Sequence, residues 1–252
     1  MAYTTINKST DHFNTKLYTG TGSSMSVTGV GFRPDWLWIK TRNAVNSSHI
    51  VDVVRGNGQA IASDLTNAQY SSGVTSFDSD GFSLVGNTGA VNNGNGSTTY
   101  VAWNWLAGGS QGSSNTDGTI NTTYTSVNTT AGISISTYAG NSTQGATIGH
   151  GLGVAPKMII LKSTTHTEDW AVAHEQMNSS NPWDYYLNLN LTGGRSQNNN
   201  RFGNVAPTST VFTLGNSDEV NGSGKSYVVY CFAEKTGFSK FGSYVGNGST
   251  NG

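Results

Sequence analysis

The apolar positions of this chain fall in short runs separated by glycine- and asparagine-rich turns, and none of the runs keeps a helical period. Trp36-Leu-Trp-Ile39 and Met158-Ile-Ile-Leu161 are continuous apolar runs, the pattern of central strands in a sandwich with both faces covered. Tyr100-Val-Ala-Trp-Asn-Trp105 and Tyr227-Val-Val-Tyr-Cys-Phe232 read as long aromatic strands. Thr75 to Val85 reads as two strands about Asp78-Ser-Asp-Gly81, a hairpin turn with glycine where φ must be positive. Thr210 to Leu214 is its counterpart further on, and Ser63 to Tyr70 alone reads as a short helical turn. The pattern predicts an all-β protein of antiparallel sheets.

These runs recur in order. Phe13-Asn-Thr-Lys-Leu-Tyr-Thr-Gly20 leads to Gly31-Phe-Arg-Pro-Asp-Trp-Leu-Trp-Ile-Lys40, and Ile133-Ser-Ile-Ser-Thr-Tyr-Ala-Gly140 leads to Gly153-Val-Ala-Pro-Lys-Met-Ile-Ile-Leu-Lys162. Gly31, Pro34 and Lys40 match Gly153, Pro156 and Lys162, and each unit closes on one of the aromatic strands. Phe238-Ser-Lys-Phe-Gly-Ser-Tyr-Val-Gly246 repeats the opening a third time. The expected organisation is an N-terminal arm (1–12), a β-sandwich module (13–109), a Gly/Ser-rich flexible linker with one extra edge strand (110–130), a second module (131–237), and the start of a third module or a docking tail (238–252). Each module is expected to be a jelly-roll or lectin-like antiparallel sandwich.

Composition narrows the class without giving an activity. Only 11% of residues are charged, Gly reaches 33 residues, and aromatics stand at 10%, enough apolar material for a core. A formal net charge of −1 with no basic stripe argues against nucleic acid as a partner. No stretch approaches the roughly 18 apolar residues that cross a bilayer, and MAYTTINKST lacks the parts of a signal peptide. The single Cys231, inside an apolar strand, reads as a buried small hydrophobe rather than a nucleophile.

Candidate chemistry is sparse. Trp36, Trp38, Trp103 and Trp105 align with large apolar residues of the second unit (Met158, Ile160, Tyr230, Phe232) and read as core. Trp170 and Trp183, with Tyr185 beside them, sit in polar surroundings in the second unit only, which makes them the candidates for ligand or partner contact. Asp64, Asp78 and Asp80 offer oxygens for calcium, but turn chemistry explains Asp-Ser-Asp-Gly fully. His166, Glu168, Asp169, His174 and Glu175 cluster without the spacing of a zinc site and read as a solvated loop. Asp52 and Arg55 are placed for an ion pair at a strand end. No nucleophile elbow, phosphate loop or dinucleotide fingerprint is present, so the reading is non-enzymatic, with no cofactor and no metal.

The motifs at 31–40, Asp52-Val-Val-Arg-Gly56, Ser76-Phe-Asp-Ser-Asp-Gly-Phe82, 100–105 and 149–160 resemble tandem-repeat, tail-fibre-like structural proteins of tailed phages, especially marine phages and cyanophages. The resemblance spans residues 13 to 252. It implies a virion component made in the host cytoplasm, a tail fibre or appendage part acting in host attachment. It further implies a homo-oligomer, by analogy a trimer, contacting other tail or capsid proteins and a host surface glycan or protein. A capsid decoration or head fibre is the alternative, and a carbohydrate-binding module or polysaccharide depolymerase a more distant one. The second unit lacks the Asp-x-x-Arg-Gly and Ser-Phe-Asp-Ser-Asp-Gly stretches of the first, so the two need not share a surface.

Overall fold

The computed structural model describes residues 4–249; the outermost residues of the expected arm and tail, 1–3 and 250–252, lie outside them. The fold is all-β, an antiparallel sandwich throughout its named strand pairs. The strands are β1 (Phe13–Thr19), β2 (Met25–Thr28), β3 (Trp36–Thr41), β4 (His49–Asp52), β5 (Gln59–Ala62), β6 (Tyr70–Ser71), β7 (Val74–Asp78), β8 (Gly81–Leu84) and β9 (Thr99–Trp105). They continue with β10 (Tyr124–Asn128), β11 (Ile133–Ala139), β12 (Thr147–Gly149), β13 (Met158–Ser163), β14 (Ala171–His174), β15 (Tyr185–Asn188), β16 (Ser196–Gln197), β17 (Val211–Thr213) and β18 (Ser226–Phe232). The one α-helix among the described residues is a single turn, α1 (Asp218–Asn221), capped by the Ser217 side chain, which accepts from the Glu219 amide.

The first half folds as a six-stranded sheet, β1-β9-β3-β4-β5-β6, over a three-stranded one, β2-β8-β7. The second half follows the same path: β11-β18-β13-β14-β15-β16 over β12-β17, with β10 added outside β11. Register makes the correspondence residue by residue. Phe13 and Trp36 both lie opposite Trp105, and Ile133 and Met158 both lie opposite Phe232. The hairpin turn forms as read, and Gly81 is obligatory there: at φ +149 a Cβ would lie 1.9 Å from the Val27 carbonyl oxygen.

The two large sheets pack on each other. Alternate residues of each central strand enter different cores, as period-two geometry requires. Leu37, Ile39, Val51, Tyr100 and Ala102 fill the core under the three-stranded sheet, and Ile159, Leu161, Tyr227, Val229 and Cys231 fill the core under the two-stranded one. Trp36, Ile50, Ile61, Ile133, Ile160, Trp170, Val228, Tyr230 and Phe232 form a third core between the two units. The apolar runs are therefore covered on both faces by a stack of four β layers rather than by two separate sandwiches.

Several local expectations change for physical reasons. The Gly/Ser-rich stretch that begins at Gly108 and runs into the linker is held in place: Gly109 donates to Asp35 Oδ2 at 2.7 Å, Gly108 to Ser126 Oγ at 3.0 Å, and Gln111 Nε2 to the Val54 carbonyl at 2.9 Å. Ser63 to Tyr70 is not helical but a turn followed by an irregular stretch into β6, because its backbone bonds to the second unit. Thr66 O accepts from Lys162 Nζ and from the Glu168 amide, and the Gln69 amide donates to Thr164 O. Phe238 and Phe241 form no strand; both rings lie against the core between the units.

Candidate functional site

The densest chemistry of the molecule lies in the seam between the two large sheets. Asp52, ending β4, faces the turn at 53–56, so Arg55 folds back onto it: the Arg55 amide donates to Oδ1 at 2.9 Å and Arg55 Nε to Oδ2 at 2.7 Å. The guanidinium also donates to the Ile50 carbonyl at 3.1 Å. From the other unit, the Tyr230 hydroxyl donates to Asp52 Oδ2 at 2.7 Å, closing a buried triad. Burial works to lower the Arg55 pKa, and Asp52 with Tyr230 more than reverses it, so the guanidinium stays charged. Burial first, then the Asp52 charge, pushes the Tyr230 phenol well up, so it remains a donor. The expected Asp52–Arg55 pair thus forms, as part of an inter-unit lock that the sequence did not show.

Lys162, at the other end of the seam, is completely buried, and its ammonium donates to the carbonyls of Thr66 and Ser163 at 3.1 and 2.9 Å. Burial lowers its pKa to about 8 against the opposing pull of Glu168 and Asp169. Its repeat partner Lys40 does the same job locally, with Nζ donating to the Asn46 carbonyl. Asp35 is a further buried carboxyl, raised by burial and held in check by the Gly109 amide and Arg33. Each of these groups is engaged by main chain or by a counter-charge.

At one margin of the seam an apolar cleft of about 240 Å³ opens between the sheets. Trp36, Trp38 and Trp105 form one wall, Met158 and Phe232 another, and Phe238 with Phe241 the rim. Trp36 packs 4.3 Å from Trp105 and stacks 4.7 Å from Tyr230. Its indole N–H is buried without an acceptor. With no ionisable lining residue and Ser239 the one hydroxyl among those that line it, the cleft suits an aromatic or aliphatic group.

The residues singled out for ligand contact disperse. Trp170 is fully buried in the seam, with Nε1 donating to the Ala62 carbonyl of the first unit at 2.9 Å, and Trp183 is buried in the second unit's own core. Both readings are corrected: their polar sequence neighbours line loops, while the rings point inward. Tyr185 does reach the surface, half-buried, beneath the Arg195 guanidinium at 5.1 Å and bonded to Gln197 Oε1. The acidic groups weighed for metal have other partners. Asp78 accepts from the Ser76 and Ser83 hydroxyls, Asp80 from the Gly29 and Gly31 amides, and Asp64 from the Ser48 amide. In the His/Glu/Asp cluster, Glu168 pairs with Lys225, Glu175 with Lys157, and Asp169 accepts from Asn190. Cys231 is buried, and burial pushes its thiol up.

Two residues that carry much of the architecture are absent from the sequence-based candidates. Asn92 is fully buried; its Oδ1 accepts from the Thr21 and Gly22 amides, and its Nδ2 donates to the Ser23 and Val85 carbonyls. Asn221 does the same in the second unit, accepting from the Asn141 amide and donating to the Thr143 and Gly215 carbonyls. The signal, in retrospect, is an Asn shortly before each closing strand.

No curated protein and no solved structure matches the chain. A family model described as "Domain of unknown function (DUF7483)" matches residues 8–252, which takes in both units, the linker and the segment after β18. With nearly its whole length covered, the chain belongs to the DUF7483 family.

Proposed function

We propose that the chain is a non-enzymatic structural component of a tailed-phage virion, a tail fibre or appendage part that acts in host attachment as a homo-oligomer. One observation carries the reading furthest. The buried ionic and phenolic groups of the seam (Asp52, Arg55, Tyr230, Lys162) are all bonded to one another or to main chain, and two of those bonds, Tyr230 to Asp52 and Lys162 to Thr66, join the layers, the design of a stiff mechanical module rather than of a reacting centre. The phage resemblance of the motifs from residue 13 onward supplies the setting. A rigid stack presents its loops and edges in fixed positions, which suits attachment to neighbours or to a host surface.

The test is a cryo-EM map of purified particles of a phage encoding this chain, with peptide identification of the chain in the same preparation. Density on a tail appendage supports the proposal. Density on capsid capsomers replaces it with a head decoration, and absence of the chain from particles overturns the virion assignment.

A further inference from the structure

We infer that the outer edge of β1 receives a β-strand from a second copy of this chain, and that the donated strand is the segment Phe241–Asn247. The inference rests on the proposed self-assembly and names the surfaces that make it. Three observations carry it.

The two large sheets have the same strand order except at one place. In the second unit the edge of β11 is covered by β10, antiparallel, with Tyr124 opposite Thr137 and Asn128 opposite Ile133. β10 is itself backed by Ser113, whose carbonyl accepts from the Thr125 amide at 2.8 Å. In the first unit the equivalent strand β1 pairs with β9 on one side, and among the described residues no backbone group bonds to its other side. The Thr15 amide turns instead to the neighbouring Asn14 side chain, 2.9 Å away, and Leu17 is 59% exposed. An open edge of seven residues is a template for strand addition.

The second observation is a segment of strand character that pairs with no strand among the described residues. Phe241-Gly-Ser-Tyr-Val-Gly-Asn247 repeats Ile135-Ser-Thr-Tyr-Ala-Gly-Asn141 of β11 and its following turn. The tyrosines of the two earlier copies are packed: Tyr18 stacks 4.9 Å from Tyr100, and Tyr138 stacks 5.2 Å from Tyr227. Tyr244 and Val245 are 94% and 95% exposed.

The third observation selects a second copy as donor. Phe241 is tethered to the second unit by Glu234, which accepts from its amide at 3.1 Å, and its ring lies 6.2 Å from His174. Ser243 then bonds to Gln176 at 2.9 Å, so the segment leaves beside β14 and not along β1 of its own chain. Pairing of β1 with β1 of another copy would bring the Lys16 side chains together near the middle of the strand, a like-charge contact. The segment 241–249 carries no charge. The contact joins unlike surfaces, so it closes into a ring or propagates head to tail, as an elongated assembly requires.

The experiment uses the full chain. Multi-angle light scattering is run on the wild type and on a variant lacking residues 242–252, which keeps Phe238 and Phe241 on the core. Separately, Leu17→Cys chains are mixed with differently tagged Val245→Cys or Tyr244→Cys chains and oxidised; Cys231 is buried and stays out of the reaction. The expected result is an oligomeric wild type, loss of the oligomer to monomer on deletion, and disulfides formed between the two kinds of chain in the mixture. An oligomer that survives the deletion, or disulfides only between like chains, overturns the edge-to-segment contact and leaves self-assembly standing. A monomeric wild type at every concentration overturns both. A disulfide formed within single chains carrying both cysteines, with monomer mass, shows the segment covering its own β1 and also overturns the inference.

Discussion

Tyr230 and Asp52 stand 178 residues apart in the chain and 2.7 Å apart in the fold, the tyrosine hydroxyl donating to the carboxylate that also holds Arg55. The contact joins the two large sheets between two fully buried side chains. A buried charge pair stripped of one member leaves the other uncompensated, which is where its energetic leverage lies.

Removing Asp52 is therefore expected to cost far more than removing the phenol. Asp52→Ala leaves the Arg55 guanidinium buried without its counter-charge and should lower unfolding stability by about 3–5 kcal/mol. Tyr230→Phe removes one hydrogen bond to a charged group, about 2 kcal/mol. Urea unfolding at neutral pH measures both, and an Asp52→Ala cost no greater than that of Tyr230→Phe would refute the lock.

The shared core between the units predicts one cooperative unfolding transition. Trp36, Trp170, Tyr230 and Phe232 bury their rings in it, so neither large sheet keeps its covered face if the other melts. Calorimetry of the wild type should give a single peak. Trp170→Ala opens a large cavity and breaks the bond to Ala62, a loss of about 3–5 kcal/mol, and is expected to broaden or split that peak. Two resolved peaks in the wild type would show that the units fold independently.

Asn92 and Asn221 should be among the most sensitive polar positions. Replacing either with alanine strands several buried main-chain groups at once, at a cost of at least about 2 kcal/mol each. Asn92→Asp keeps the acceptor but sets a buried carboxylate oxygen against the Ser23 and Val85 carbonyls, so it should cost at least as much as alanine. Thermal melts of the three variants check the order.

Lys162 gives a pH signature. Its folded pKa, about 8, lies below the ordinary lysine value of 10.5, so the unfolded chain binds the extra proton across that interval. Stability attributable to this group therefore rises as pH climbs from about 8 toward 10.5, and is lowest below 8. Above pH 10 the buried phenols of Tyr138 and Tyr230, whose pKa values burial raises, act in the opposite sense and stability falls. Denaturation midpoints between pH 7.5 and 9.5 (a window set by the roughly 8-to-10 interval between these groups) should rise in the wild type. The same series on Lys162→Met should be flatter; an equal slope would remove Lys162 as its source.

Much of the strand plan was legible from local pattern. Short apolar runs between turns, aromatic closing strands and the Asp78–Gly81 turn are short-range physics: an apolar run without helical period makes a strand, and glycine alone takes the turn geometry. The pairing of Asp52 with Arg55 is likewise local, three residues apart. The match of Trp36 with Met158 and of Trp105 with Phe232 reappears as register in the sheets. For the candidate site, the Asp52–Arg55 half was readable and the Tyr230 half was not, because nothing in either segment marks the other as its neighbour.

What the chain determined by itself, then, was its all-β class, its turns and the parallel layout of its two halves, all consequences of spacing along the backbone. Tertiary structure decided the rest. A doubly buried strand has the same apolar run whether a sandwich partner or a second sheet covers its outer face, so the four-layer stack was invisible in the pattern. Trp170 and Trp183 lie among polar residues in sequence, yet burial is a property of neighbours in space, and those come from the other unit and from the second unit's own core. The Gly/Ser-rich stretch from Gly108 has the composition of a flexible chain, but its first amides meet Asp35 and Ser126, and a hydrogen bond from a distant residue outweighs a local preference for freedom.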